Sequence, residues 1–316
     1  MLPSSLSRIK KYPVVYFLFK LFLFAALIFV LDFGIGRLLR HFYFTQKSGF
    51  QYLTTYSMEQ TEARLLVFGS SRANHHYIPD TLEKYSHSSC YNVGRNGASV
   101  FYHLAVLKSI LKRYTPNAII LDFTRIELEE RASSYERLAA LLPYYKDHPE
   151  IRSIIQLRGK YEKIKLLSEI YPYNSDIFSI IVGNMKFNKK RKEDFKGYVP
   201  LKATMDSLGK GSLKEEKEAG LDSLKVNAYR EFILLCKKSN IKLTVVCSPY
   251  AYKAEGSGIS LLTGQKIAKE NGIEFLNYSE DPRFINKYSL FTDRNHLNYK
   301  GAEIFSPIIG VQLSKD

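Results

Sequence analysis

The sequence is poor in residues that mark several well-known kinds of site. It has no tryptophan, which argues against a carbohydrate platform built on that residue, although its 23 tyrosines can serve instead. Its three cysteines stand at no metal-ligand spacing and cannot all pair with one another. Cys247 ends an apolar run and is interpreted as a small buried residue, so no cysteine chemistry is expected.

Acidic residues are scarce relative to basic ones, with 31 against 46 and a formal net charge of +15. Such a surplus suits an anionic partner such as nucleic acid, phospholipid head groups or acidic glycan. The basic run at residues 186–192 has no nucleic-acid-binding motif beside it, so a solvated surface is favoured and no nucleic-acid partner is expected. Much of the surplus lies in residues 1–47, where Asp32 is the single acid.

Residues 13–39 read PVVYFLFKLFLFAALIFVLDFGIGRLL, an apolar stretch long enough to cross a hydrocarbon core of roughly 30 Å as a helix. Lys20 and Asp32 lie towards its two ends, where Lys20 can extend its ammonium to the interface. The stretch is longer than the core of a usual signal peptide, and no small-residue cleavage site follows it. A transmembrane anchor within residues 1–45 is therefore predicted, with a cleaved signal peptide as the alternative.

Basic residues flank the apolar stretch on both sides, and the positive-inside rule slightly favours a cytoplasmic N-terminal tail. That orientation predicts a single-pass protein of the cytoplasmic (inner) membrane. Its C-terminal domain, residues 60–316, would then be periplasmic or extracellular.

The rest of the chain alternates between short apolar runs and amphipathic helical segments. The predicted strands lie near residues 64–68, 90–93, 117–123, 242–248 and 273–276, and the helices near 100–114, 223–238 and 261–270. Continuous apolar strands alternating with helices predict an α/β fold with a doubly wound, mostly parallel sheet covered on both faces.

This alternation stops between about residues 128 and 220, which we interpret as one long insertion. Residues 138–167 favour helices, whereas residues 186–220 are rich in charge and glycine and predict a loop or lid.

Two short segments carry candidate chemistry. Gly69, Ser70 and Ser71 form a turn between a predicted strand and a helix, although such a turn alone is ordinary. Near the other end of the chain, Asp293 precedes His296 by three residues, so its carboxylate can accept the ring N–H and leave the other nitrogen as a general base. By itself that segment also fits a solvated loop before a helix.

Together the two segments resemble the SGNH or GDSL hydrolase superfamily, in which a Gly-Asp-Ser or Gly-Ser-Ser turn follows the first strand and Asp-x-x-His lies near the C-terminus. The resemblance implies a three-layer, flavodoxin-like domain. It also implies Ser71 as nucleophile, His296 as base and Asp293 as the group that orients the base, with Ser70 as the second choice of nucleophile.

A third block, Asn-Val-Gly-Arg-Asn-Gly ending at Gly97, matches the segment after the family's second strand. The resemblance implies that the N–H groups of Gly97 and Ser71 bind the oxyanion. The family's Gly-x-Asn-Asp block is absent, so Thr124 or Arg125 is considered as a replacement donor or substrate contact. Arg72, beside the nucleophile, is open to two interpretations, a substrate contact or a structural salt bridge.

The predicted function is thus a membrane-anchored serine esterase or O-acyltransferase of the bacterial type, acting on a cell-envelope glycan through an acyl-serine intermediate. No cofactor is expected. No metal is expected either, because His75 and His76 have no acidic partner at metal-ligand spacing. The alternative is an inactive scaffold of the same fold that binds a glycan or a membrane partner.

Overall fold

The computed structural model describes residues 12–185, 195–206, 219–253 and 258–314. Its centre is one sheet of five parallel strands in the order β2-β1-β3-β4-β5. The strands are β1 (Leu65–Phe68), β2 (Cys90–Asn92), β3 (Ala118–Asp122), β4 (Lys242–Cys247) and β5 (Glu274–Asn277). The α-helices are α1 (Pro13–Phe44), α2 (Gly49–Glu59), α3 (Ser71–His76), α4 (Pro79–Ser86), α5 (Val100–Ile110), α6 (Ala132–Glu136), α7 (Arg152–Ile155), α8 (Glu162–Lys165), α9 (Ile177–Asn184), α10 (Ser223–Lys238), α11 (Ile259–Glu270) and α12 (Tyr299–Leu313).

Strands β1 to β4 are almost completely buried, whereas the edge strand β5 is only partly buried. Alternate residues of β1 enter two different cores: Leu66 and Phe68 pack in the core that includes α5 and α10, whereas Leu65 and Val67 pack in the core that includes α4 and α12. The predicted doubly wound parallel sheet is therefore confirmed. The winding reverses between β1 and β3, and in such folds ligands bind at the carboxyl ends of the two strands that flank the reversal.

The described parts of the region between β3 and α10 hold short helices rather than strands of the sheet. They are α6 to α9 together with the 3₁₀ segments Arg137–Tyr144, Pro149–Ile151, Gln156–Arg158 and Tyr171–Tyr173. An antiparallel bridge joins Glu129 to Leu221, so the chain leaves the domain and returns to it at neighbouring points. The basic run at residues 186–192, and most of the predicted loop or lid, lie outside the described residues.

Helix α1 precedes this domain and is long and apolar enough to cross a membrane. The 18-residue window that qualifies has a mean hydropathy of 2.7 and is not buried against the rest of the protein. Its C-terminal end does pack, because Tyr43 is fully buried beside Tyr144 and Tyr173 of the insertion.

Candidate active site

Ser71 is the first residue of α3, and the turn that leads into it requires a glycine. Gly69 has φ +144°, and a Cβ atom there would lie only 2.7 Å from a side chain of α3. The Ser70 hydroxyl accepts a 3.5 Å hydrogen bond from the N–H of Arg72 and so caps α3. The Ser71 hydroxyl instead meets the base, with its Oγ 2.6 Å from Nε2 of His296.

His296 is oriented by Asp293, whose two carboxylate oxygens lie 2.9 and 2.8 Å from Nδ1 of the imidazole. Because a carboxylate only accepts hydrogen bonds, Nδ1 carries the proton and Nε2 accepts from the Ser71 hydroxyl. The Asp293 carboxylate also accepts from the backbone N–H groups of Asn295 and His296, at 2.8 and 3.0 Å. The turn thus fixes both members of the pair, and the structure brings together three residues from opposite ends of the domain.

Asp293 stays ionised beside the base. Burial raises the pKa of its carboxyl, but the hydrogen bonds from the His296 ring and from two backbone N–H groups outweigh burial and hold the pKa below its ordinary value of 3.8. An ionised partner stabilises the imidazolium that forms when His296 takes a proton from Ser71. The three side chains therefore have the geometry and the charge needed for acyl transfer.

Arg72 follows the nucleophile but lies buried, with 3% of its surface exposed. Its Nη1 donates to the carbonyl of Asn295 at 2.6 Å, in the turn that carries His296. Its Nη2 donates to the Ser248 hydroxyl at 2.8 Å and to the Pro249 carbonyl at 3.1 Å. Arg72 therefore ties the base-bearing turn to the end of β4.

A buried carboxylate accompanies this arginine. Nε of Arg72 lies 3.6 Å from Oδ1 of Asp122, and the Tyr77 hydroxyl donates to the other oxygen at 2.6 Å. Burial raises the pKa of Asp122, and the nearby guanidinium opposes that rise. The Tyr250 ring lies 3.6 Å from the guanidinium carbon. Of the two interpretations drawn from the sequence, the structure has the salt bridge, and the guanidinium faces the protein interior.

The two histidines after Arg72 have separate structural partners. His76 accepts a 2.9 Å hydrogen bond from the N–H of Leu297 at Nε2 and donates from Nδ1 to the Ser248 hydroxyl at 2.9 Å. Burial holds the pKa of His76 well below 6.5, so the ring is neutral. His75 donates from Nδ1 to the carbonyl of Val199 at 2.7 Å. In the described parts of the chain, no group of three or more His, Cys, Asp or Glu side chains could hold a metal ion.

Gly97 lies in the loop after β2, with φ +71°. Two hydrogen bonds tie this loop to the nucleophile turn: the N–H of Arg95 donates to the Gly69 carbonyl at 3.1 Å, and the Asn92 amide donates to the Ala73 carbonyl at 2.7 Å. Among the residues that the structure describes, the N–H of Gly97 has no acceptor of its own. It is therefore available to donate to a substrate oxygen.

Thr124 and Arg125 follow β3, where the family's asparagine donor would stand, and both are engaged elsewhere. The Thr124 hydroxyl donates to Glu127 at 2.9 Å, and Glu127 in turn accepts from the first N–H of α5. Arg125 donates to two backbone carbonyls at 3.3 and 3.0 Å and lies 4.0 Å from the centre of the Tyr250 ring. Neither side chain replaces the missing donor in this arrangement.

Arg137, from the insertion, is a site residue that the sequence did not indicate. Its Nη1 would lie 1.8 Å from a Cβ atom built on Gly97, so the guanidinium packs directly on the predicted oxyanion glycine. The backbone N–H of Arg137 donates to the carbonyl of Ser133, whereas its guanidinium makes no hydrogen bond or ion pair with another described residue. The insertion contains no recognisable motif, so the sequence alone does not predict that Arg137 lies beside this loop.

A cavity of about 410 Å³ opens beside the same loop, between it, α5 and the insertion. Its lining is mostly charged, hydroxyl-bearing or small, with one aromatic side chain. The lining residues are Arg95, Asn96, Ala98, Tyr102, Ser133, Glu136, Arg137, Ala139, Ala140, Ser175 and Asp176.

In sequence, no family model and no curated protein matches this chain. In structure, it is similar to a Bacteroides fragilis protein described as an acylhydrolase, with a TM-score of 0.42, 12% identity, and coverage of 84% of this chain and 96% of that one. It is also similar to an acetyl xylan esterase, with a TM-score of 0.38, 12% identity, and coverage of 79% of this chain and 98% of that one. A third similar structure is a Desulfitobacterium hafniense protein described as lipolytic and of the G-D-S-L family. Its TM-score is 0.37 at 9% identity, with coverage of 79% of this chain and 98% of that one. At these identities and TM-scores the likeness carries no conclusion about the chemistry of this chain.

Proposed function

We propose that this chain is a serine esterase or O-acyltransferase that forms an acyl-Ser71 intermediate. The observation that carries the proposal is the continuous relay from the Ser71 hydroxyl through His296 to an ionised Asp293, with distances of 2.6 and 2.8 Å. The same three residues are the ones that the resemblance to the SGNH superfamily implies.

The reaction follows from this relay. Ser71 Oγ attacks the ester carbonyl carbon while Nε2 of His296 takes its proton, and Asp293 stabilises the resulting imidazolium. The N–H groups of Gly97 and Ser71 donate to the oxyanion, each worth roughly 3 to 4 kcal/mol. Collapse breaks the bond to the alcohol, which leaves with the proton from His296. Water or a second alcohol then attacks the acyl-serine, which releases acid or a new ester.

The cavity beside Gly97 supports a polar alcohol rather than a long acyl chain as its occupant. An alkyl chain there would offer no hydrogen-bond partner to the charged side chains of Arg137 and Glu136, which line the cavity. A polyhydroxylated ring offers both donors and acceptors to the same groups. We therefore propose an O-acylated or acyl-accepting glycan of the cell envelope as substrate, reached by an enzyme that α1 holds at the bacterial membrane.

The second candidate is a catalytically inactive scaffold that binds glycan. The observation that favours it is the commitment of Thr124 and Arg125 to internal partners, since it leaves the oxyanion site with one donor fewer than the family has.

Covalent labelling with a fluorophosphonate probe distinguishes the two candidates. We expect labelling of the purified, detergent-solubilised chain that Ser71→Ala abolishes and that Ser70→Ala, its matched control, retains. A folded wild-type chain that takes no label supports the scaffold. Incubating a labelled-acetyl donor ester with xylan or peptidoglycan fragments then separates transfer to sugar from release of free acetate.

The proposed orientation has its own test. A reporter that is active only in the cytoplasm, fused after Asp316, should be silent, whereas an export-dependent reporter at the same place should be active. The opposite pattern would place the catalytic domain in the cytoplasm.

A further inference from the structure

Helix α1 is fastened to the insertion at three successive points along one face. Asp32 accepts hydrogen bonds from the Ser168 hydroxyl at 2.5 Å and from the N–H of Glu169 at 2.7 Å. A Cβ atom on Gly36 would lie 2.2 Å from that of Glu169, so the two backbones touch. One turn later, Arg40 pairs with Asp147 at 2.6 Å. The insertion therefore sits at a fixed height along the helix.

That height coincides with the end of the apolar stretch. From Pro13 to Leu31 the helix carries one charged residue, Lys20, and measures about 28 Å. This length matches a hydrocarbon core of roughly 30 Å. Asp32 is the first acid and is followed by Arg37 and Arg40, so the edge of the bilayer falls at the level where Ser168 and Glu169 contact the helix.

The residues just before Ser168 present apolar side chains to the outside at that level. Tyr161, Ile164 and Leu167 recur every third residue and are 58%, 64% and 80% exposed. We call these three residues the apolar lip. Exposed clusters of this kind mark contact surfaces rather than ordinary protein exterior.

Lysines surround the apolar lip. Lys160 lies 5.6 Å from the centre of the Tyr161 ring, Lys163 is exposed, and Lys165 is half exposed with a 3.4 Å pairing to Glu162. Apolar side chains with basic neighbours are typical of segments that lie in the head-group region, where aromatic rings and lysines both find suitable surroundings.

We infer that the apolar lip dips into the head-group boundary of the same membrane that α1 crosses, and that the insertion thereby holds the catalytic domain at a set angle to the lipid surface. The inference rests on the proposed anchoring by α1. The partner of the apolar lip is a lipid surface with anionic head groups, because the lysines that flank the lip are positively charged.

The absence of tryptophan makes a direct experiment possible, since one introduced tryptophan is the only such fluorophore. The full-length chain would be reconstituted in phosphatidylcholine and phosphatidylglycerol vesicles containing lipids brominated either near the head group or near the chain centre. Leu167→Trp is the test variant and Ile164→Trp the second. Leu234→Trp, at a site 56% exposed on α10, is the matched control, and Phe24→Trp reports on α1.

In vesicles, we expect the tryptophan of each lip variant to emit at a shorter wavelength than the tryptophan of the Leu234→Trp control. We also expect it to be quenched more by bromines near the head group than by bromines near the chain centre. Phe24→Trp should be quenched most by the deep bromines. Lip emission like that of the control, with Phe24→Trp quenched, overturns the inference and leaves the anchor intact. If Phe24→Trp is not quenched, the anchoring fails, and the inference fails with it, while the esterase proposal is still decided by labelling.

Discussion

Replacing Arg72 by methionine would test whether this buried side chain positions the catalytic histidine. The substitution removes the charged partner of Asp122 and leaves a completely buried carboxylate with the Tyr77 hydroxyl as its hydrogen-bond donor. Breaking a buried ion pair in this way costs about 3 to 5 kcal/mol. For a domain of this size, 1 kcal/mol corresponds to about 2 to 4 °C, so we expect the melting temperature to fall by roughly 6 to 20 °C.

The same substitution also releases the turn that carries the base, because the 2.6 Å hydrogen bond to the Asn295 carbonyl is lost. A displacement of about 1 Å at a catalytic group costs about 100-fold in rate. We therefore expect the rate of fluorophosphonate labelling of Ser71 to fall by that factor, measured at a temperature where every variant is folded.

A second variant separates stability from positioning. In Arg72→Met/Asp122→Asn the buried charge is gone, so the melting temperature should recover in part, while the tie to Asn295 is still missing and labelling should stay slow. Asp122→Asn alone is the control that measures the effect of replacing the carboxylate by an amide while Arg72 is present. If labelling recovers together with stability, or if Arg72→Met labels at the wild-type rate, the positioning role is refuted.

Three further predictions concern the site and its surroundings. Because the pKa of Asp293 lies below 3.8, its ionised form stabilises the fold at neutral pH, and this contribution is lost as the pH falls through the lowered pKa. The difference in melting temperature between wild type and Asp293→Ala should therefore shrink as the pH falls from about 5 to below about 3. Gly97→Ala should lower the labelling rate and cost about 1 to 2 kcal/mol, because φ is +71° and the new methyl meets Arg137; an unchanged rate would show that this loop does not serve the oxyanion. Burial lowers the pKa of His103 to about 3, and neither ring nitrogen has a hydrogen-bond partner among the described residues. Below about pH 6.5 the His103 ring is therefore protonated in the unfolded chain but not in the folded one. Stability should therefore decrease by up to about 1.4 kcal/mol per pH unit below about 6.5, and urea unfolding of His103→Phe should show a flatter dependence if this is correct.

The sheet was predictable from sequence because its strands are local and continuous. The run that becomes β1 is apolar over its whole length, and those that become β3 and β4 are mostly apolar, as burial on both faces demands. The helices between them show ordinary amphipathic spacing. Their alternation with the strands left few arrangements other than a parallel, doubly wound sheet.

The candidate site was predictable in part. Asp293 and His296 are near neighbours, and a turn can bring them together, but their meeting with Ser71 depended on the resemblance to a known family. The role of Arg72 was left open because a sequence does not say which way a side chain points. Arg137 was missed because its position on Gly97 is set by the path of the insertion, whose short helices have no strong periodicity.

The wide separation of the nucleophile and the base along the chain, 225 residues, has a consequence for synthesis. Ser71 leaves the ribosome well before His296 and the helix that follows it, α12. Helix α12 packs against α4 and α3, so the C-terminal segment must dock beside the nucleophile before the relay exists. A nascent or truncated chain that ends before His296 would carry the serine without its base, and the proposed activity would begin only after α12 has docked.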